Sequence, residues 1–277
     1  MFYDKGMITL LEKVESHAEY LANIITSRYA TVGKFADSSA NLSSTILLSP
    51  DEEPKRIRER TIEYAGNLAF YFPTFLSHQM TSLGLPSEIE IEQLHRRFSP
   101  DDEAFELIYT HCKIVWEIAQ HMIQDKKLDV DRELVKAGCL LHDIGTYALR
   151  HNGRFDGTNY IKHGILGYNL LKDEGYDEKL CRIASHHTGV GLSKEDINIE
   201  RLPLPAEDFL AETIEEELVM YADKFHSKKP CFNSYASYMK KVSKFGGLKA
   251  EKFADFAFKF GVPKLEVLAE KYQHPIS

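Results

Sequence analysis

Cysteine is scarce in this 277-residue chain: four residues, at 112, 139, 181 and 231, with no Cys-x-x-Cys pair. That pattern excludes a disulfide-stapled secreted framework and reads as reduced thiols, mostly in the core of a cytosolic protein. Basic charge is also in deficit, with 34 Lys and Arg against 42 Asp and Glu, a net charge of -8 and a pI near 5.9. Dedicated nucleic-acid binding is therefore not expected, although a charged substrate stays open. Long apolar runs are missing too. The uncharged stretch Tyr64 to Ser87 carries Asn67, Pro73, His78 and Gln79, so it reads as a buried helix and not as a membrane span. Asp4, Lys5, Glu12 and Lys13 interrupt the first residues, and no signal peptide is expected. Internal repeats, low-complexity runs and the alternating pattern of strands are likewise wanting.

What remains is helical periodicity on an apolar fraction of 43%, enough for a real core, so the expectation is an all-α protein in the cytoplasm. Ile8, Leu11, Val14, Ala18, Leu21 and Ile25 share a face of a helix over 7–29. A serine-rich loop over 31–54 follows, then a helix over 56–83 bent at Pro73. Ser87 and Glu90 have capping-box spacing for a short helix ending at Arg97. Ser99-Pro100-Asp101-Asp102 predicts a serine cap with proline in the first turn. The helix over 104–122 is apolar nearly all round and belongs in the middle of a bundle, which places His111 in a core. Asp131 caps the next helix, which ends at His142-Asp143 with Gly145 as a sharp exit. Helices over 160–174, 177–187 and from a Thr213/Glu216 capping box follow, and three more end the chain, with Phe253, Phe256 and Phe260 as core. The segment over 188–212 is longer than a connector requires and is expected to wall the site described next.

Eight of the twelve histidines fall between His111 and His226. His111, His142, His163, His186 and His187, with Asp143 and Asp223, sit on or at the ends of five successive predicted helices. One buried histidine is usually a satisfied core residue, but inward-facing sets on adjacent helices are how bundles build metal sites. Nitrogen with carboxylate oxygen suits iron, manganese or zinc, whereas magnesium and calcium prefer oxygen alone. A metallo-hydrolase is the direct reading.

The series His111, His142-Asp143 and Asp223 resembles the HD superfamily of metal-dependent phosphohydrolases, and His142-Asp143-Ile144-Gly145 looks like its HDIG variant. His163 within His163-Gly164-Ile165-Leu166-Gly167 and the pair His186-His187 resemble the subset that binds two metals. His187-Thr188-Gly189 is similar to a stretch of HD-type diadenosine tetraphosphate hydrolases. The resemblance runs from about Ser99 to Phe225 and implies an HD-type helical bundle with additional N- and C-terminal helices. Domains are accordingly expected over 1–98, of unknown role, and 99–277. It also implies two divalent transition metals, iron or manganese first and zinc, nickel or cobalt as alternatives. Asp143 would bridge them, His111, His142 and Asp223 would complete one site, and His163 and His187 would hold the other. A metal-bound hydroxide would then hydrolyse a nucleotide or other phosphate ester, with His142 and Asp143 at the centre of the chemistry.

Many family members carry lysine after the glycine, where this chain has Thr146. Arg150, Arg154, Lys162 and Arg182 are candidates for meeting the phosphate instead, and His186 for orienting a ligand or the substrate. Ten lysines from Lys224 to Lys264, against Glu251 and Asp255, could attract a phosphate-bearing substrate but read more simply as a solvated face. Two alternatives carry weight: a di-iron oxygenase of the same fold, and a non-catalytic regulatory module. A small phosphorylated substrate is the expected partner, with no membrane and no nucleic acid, and homo-oligomerisation is left open.

Overall fold

The structure is a computed structural model that describes residues 85–277 apart from Asn152, and the helices and loop expected over 7–83 lie outside the described residues. Local capping chemistry accounts for most helix starts. Ser87 and Glu90 satisfy each other's backbone, with Glu90 N–H donating to Ser87 Oγ at 3.3 Å and Ser87 N–H to Glu90 Oε2 at 2.8 Å. Helix α1 (Glu88–Phe98) follows from that box. The next start corrects the expectation by two residues: Asp101, not Ser99, is the cap of α2 (Asp102–Lys126), accepting from Ala104 N–H at 2.7 Å. Ser99 instead closes α1 through its own N–H to the His95 carbonyl, and its hydroxyl donates to Asp101 O at 2.7 Å. The proline thus lies between two helices instead of inside the second.

Helix α2 packs against α1 and against α3 (Arg132–Leu141), α7 (Ile214–Asp223) and α9 (Gly247–Phe260), the central position its all-round apolarity predicts. Asp131 caps α3 as expected, accepting from Leu134 N–H at 3.0 Å. Beyond it the chain does not exit sharply. His142 and Asp143 lead into a 3-10 turn, Ile144–Leu149, and Gly145 has no positive φ. Gly145 is needed for a close approach: a Cβ there would lie 2.2 Å from Gly167 N and 2.2 Å from His163 O. Backbone thus meets backbone between the 3-10 turn and α4 (His163–Asp173), which packs in turn on α5 (Glu178–His186).

A short hairpin, β1 (Arg150–His151) with β2 (Arg154–Phe155), precedes α4. The segment over 188–212 contains α6 (Lys194–Glu200) and is pinned by the pairing of Leu192 with Phe209. At α7 only half of the expected capping box forms. Thr213 Oγ1 accepts from Glu216 N–H, but the Glu216 carboxylate accepts from Glu212 N–H and from Arg182 instead. A second hairpin, β3 (His226–Ser227) with β4 (Cys231–Phe232), leads to α8 (Tyr235–Val242), α9 and α10 (Glu266–Tyr272). Phe253, Phe256 and Phe260 are buried around Tyr221, as the helical spacing predicts. Pro275 and Ser277 hydrogen-bond to Phe232, which brings His274 against β3. All four thiols are free, and three of them are buried. The fold is all-α, and among the described residues no helix is long and apolar enough to cross a membrane.

Candidate metal centre

Five elements deliver six side chains to one point. His111 comes from the middle of α2, His142 and Asp143 from the end of α3, His163 from the first turn of α4, His187 from the end of α5 and Asp223 from the last residue of α7. They form two groups sharing Asp143: His111, His142, Asp143 and Asp223, and Asp143, His163 and His187. In the first, His111 Nε2 lies 3.0 Å from Asp223 Oδ1, 3.2 Å from Asp143 Oδ2 and 3.3 Å from His142 Nε2. In the second, His163 Nε2 and His187 Nε2 are 2.9 Å apart and each 3.5 Å from Asp143 Oδ1. Asp143 is fully buried and turns one oxygen to each group.

The backbone fixes which nitrogen is available. His142 Nδ1 donates to Cys139 O at 2.8 Å, His163 Nδ1 to Tyr160 O at 2.7 Å and His187 Nδ1 to Ala184 O at 2.8 Å. A carbonyl only accepts, so each Nδ1 carries the proton and each Nε2 presents a lone pair. Two lone pairs facing each other, as at His163 and His187, repel unless a cation lies between or beside them. Bonds of about 2.0–2.1 Å to a metal put neighbouring ligands about 3.0 to 3.4 Å apart, the spacing found here. The residues fit a pair of divalent transition metals on donor chemistry and on spacing.

Charge supports the fit. Burial works against ionising Asp143, but Lys228 and His142 hold its carboxyl well below the usual range. Asp223 is held down against burial by Lys224, 2.6 Å away, and by His111 and His142. Burial disfavours protonating His142, yet Asp143 raises it well above the usual value, the pull of a buried carboxylate whose charge a metal would otherwise balance. His163 and His187 go the other way, pushed down by burial to about 3 and about 4. They are neutral donors at physiological pH.

A cavity of about 510 Å³ opens over these groups, lined by His163, His187 and Asp223 and by four lysines, Lys224, Lys228, Lys229 and Lys241. Lys224 is buried and Lys228 half-buried on Asp143, which corrects the reading of a solvated face at these two positions of the run. None of the five residues expected to meet the substrate lines this cavity. Arg150 is buried on Asp101 and Glu103, at 3.0 and 2.7 Å. Arg154 is exposed, and Lys162 lies half-buried in the turn before α4. Arg182 pairs with Glu216 and Glu212, and His186 is turned to Ser185 Oγ, 2.7 Å away, and to the Phe209 ring. Of the segment over 188–212, Thr188 and Gly189 reach the cavity. Thr146 lines it, with its hydroxyl 3.5 Å from Asp143 Oδ1.

Sequence reasoning missed His226 and did not single out Lys224 and Lys228 from their lysine run. The run Asp223-Lys224-Phe225-His226-Ser227-Lys228 held the signal, because a chain leaving a ligand at a helix end stays beside that ligand for a few residues. His226 Nδ1 is 2.9 Å from His111 Nδ1, and His226 Nε2 is 3.0 Å from His274 Nδ1.

A family model described as HD domain matches residues 108–228. A tRNA (cytidine(56)-2'-O)-methyltransferase of Picrophilus torridus is 37% identical over 132 residues, 48% of this chain and 35% of that protein. An uncharacterized protein of Methanocaldococcus jannaschii is 42% identical over 121 residues, 43% of this chain and 65% of its own. The chain thus spans less than two thirds of the length of these relatives. Among solved structures, the HD domain of the L. monocytogenes phosphodiesterase PgpH in complex with cyclic-di-AMP superposes with a TM-score of 0.40 and 16% identity, covering 68% of this chain and 99% of that one.

Proposed function

We propose that this chain, whose residues 108–228 match the HD-domain family model, is a metal-dependent phosphohydrolase acting on a nucleotide or other phosphate ester. The observation that carries the reading is Asp143, whose two oxygens face two separate histidine groups at 3.2–3.3 Å and 3.5 Å. A carboxylate so placed suits two ions, with His111, His142 and Asp223 completing one site and His163 and His187 the other. Metals held there supply Lewis acidity toward phosphoryl oxygens and a water made acidic near neutral pH. The side chains do the rest. Lys224 and Lys228 face the cavity with positive charge for the non-reacting oxygens of the phosphate, the help that Thr146 cannot give. Backbone carbonyls hold the imidazoles of His142, His163 and His187 in one tautomer, so the donors need no rearrangement.

The oxygenase alternative uses the same six side chains, and the four lysines favour an anionic substrate over dioxygen. A regulatory module would tolerate loss of a ligand, whereas here all six converge. Elemental analysis of protein purified without chelators, after saturation with manganese or iron, is expected to give two ions per chain, and a panel of nucleotides and phosphoesters to reveal turnover. A ceiling of one ion overturns the binuclear reading. Oxygen consumption without release of phosphate overturns the hydrolase.

A further inference from the structure

Beside the lysine-lined cavity lies a second of about 150 Å³ that shares Thr188, Gly189 and Tyr238 with it. Its walls are Ile161, Val190, Leu192, Leu202 and Val242, and apolar cavities of this size take a benzene-sized group. Its lysine is already occupied: Lys249 Nζ lies 2.5 Å from Asp196 Oδ2 and 2.7 Å from Gly191 O. Asp196 and Glu200 at its edge oppose an anion, while Lys224, Lys228, Lys229 and Lys241 attract one next door. At the shared wall, Gly189 leaves the way open, since a Cβ there would meet nothing within 4 Å.

We infer that the second cavity takes the organic part of the substrate, so that the preferred esters join a phosphate to an uncharged, ring-sized apolar group, in contrast to inorganic polyphosphate and small alkyl phosphates. The inference rests on the phosphohydrolase reading for the position of the phosphate. Two non-hydrolysable probes separate them, methylphosphonate and phenylphosphonate, titrated calorimetrically into the metal-loaded full chain. Phenylphosphonate is expected to bind at least about tenfold tighter, the effect of burying one ring. Leu202→Trp should abolish that advantage and leave methylphosphonate unchanged, which also reports that the variant is folded. Phe245→Asp, at an exposed position on the same cavity, does the same by charge. Equal affinities for the two probes, or a ring preference that survives both variants, overturn the inference alone. Failure of both probes to bind overturns the phosphate reading and this one with it.

An independent observation concerns His111, the one metal-facing histidine whose Nδ1 meets no carbonyl. Its Nδ1 meets His226, and His226 meets His274. Leaving His111 Nε2 free for a metal puts the proton on His111 Nδ1, which makes His226 Nδ1 the acceptor and His226 Nε2 the donor to His274. The geometry assigns His226 as a positioning residue that sets the tautomer of His111. Manganese titrated into the metal-free full chain tests this. His226→Leu should weaken one of the two ions by about 10- to 100-fold, while His226→Asn, whose amide oxygen falls where Nδ1 was, should stay within about threefold of wild type. Where the leucine variant does not fold, His226→Gln, which reaches toward His274 and not His111, replaces it. Equal affinity in the leucine (or glutamine) and asparagine variants overturns the assignment.

Discussion

Asp143→Ala is expected to lose more than about a thousandfold in turnover and to retain neither ion, with the helical circular dichroism spectrum unchanged. The carboxylate is the one group common to both histidine sets, so no other single side chain removes a ligand from each. Its loss is not expected to unfold the domain. Burial of a charge costs stability wherever its partners are imperfect, and the alanine relieves that cost. Lys228, left unpaired, is half-buried on the open cavity and can turn to water. Elemental analysis beside the spectrum decides the matter. A variant that still holds two ions, or that turns over at the wild-type rate when loaded, would remove Asp143 from the centre.

Gly145→Ala should act through packing. Two backbone atoms stand 2.2 Å from where the methyl group must go, and a third, Gly167 Cα, at 2.8 Å. Neither the 3-10 turn nor α4 can yield by rotating a side chain, so the cost falls at the upper end of the range for overpacking, about 3 kcal/mol. For a unit of this size that lowers Tm by about 6–12 °C. The separation of α4 from the turn also sets how far His163 lies from Asp143, so the ion held by His163 and His187 should weaken first. Gly157→Ala is the control, because its Cβ would meet nothing within 4 Å, and its effect should stay within about 0.5 kcal/mol. Equal melting temperatures for the two variants would show that the contact is not tight.

Helix starts were legible because a cap is a contact within three residues, as at Ser87 and Asp131. Ser99 misled because two residues in Ser99-Pro100-Asp101 carried cap chemistry with extended backbone at both. What separates them is that the Asp101 carboxylate accepts from Ala104 N–H while the Ser99 hydroxyl turns to Asp101 O. The convergence of His111, His142, Asp143, His163, His187 and Asp223 was legible from their order on successive apolar helices. Charge partners were not. Arg150 finds its acids 47 and 49 residues back in the chain, and no local pattern announces such a pair. Lys224 and Lys228 were hidden by the lysines that follow them, most of which do face water. Gly145 looked like a turn residue because sequence cannot distinguish a glycine kept for its φ from one kept for want of a methyl group.

The pairing of Lys228 with Asp143 makes an ammonium and a metal rivals for one oxygen. A metal held by that oxygen would compete with the lysine, and a displaced Lys228 would face the cavity it already lines. The pocket would gain the charge of the ion, and the ammonium already there would be freed from its carboxylate to meet an anion. Loading and anion capture would then be coupled, and because such coupling is reciprocal, a bound phosphate that held Lys228 away from Asp143 would tighten the grip on the metal in turn.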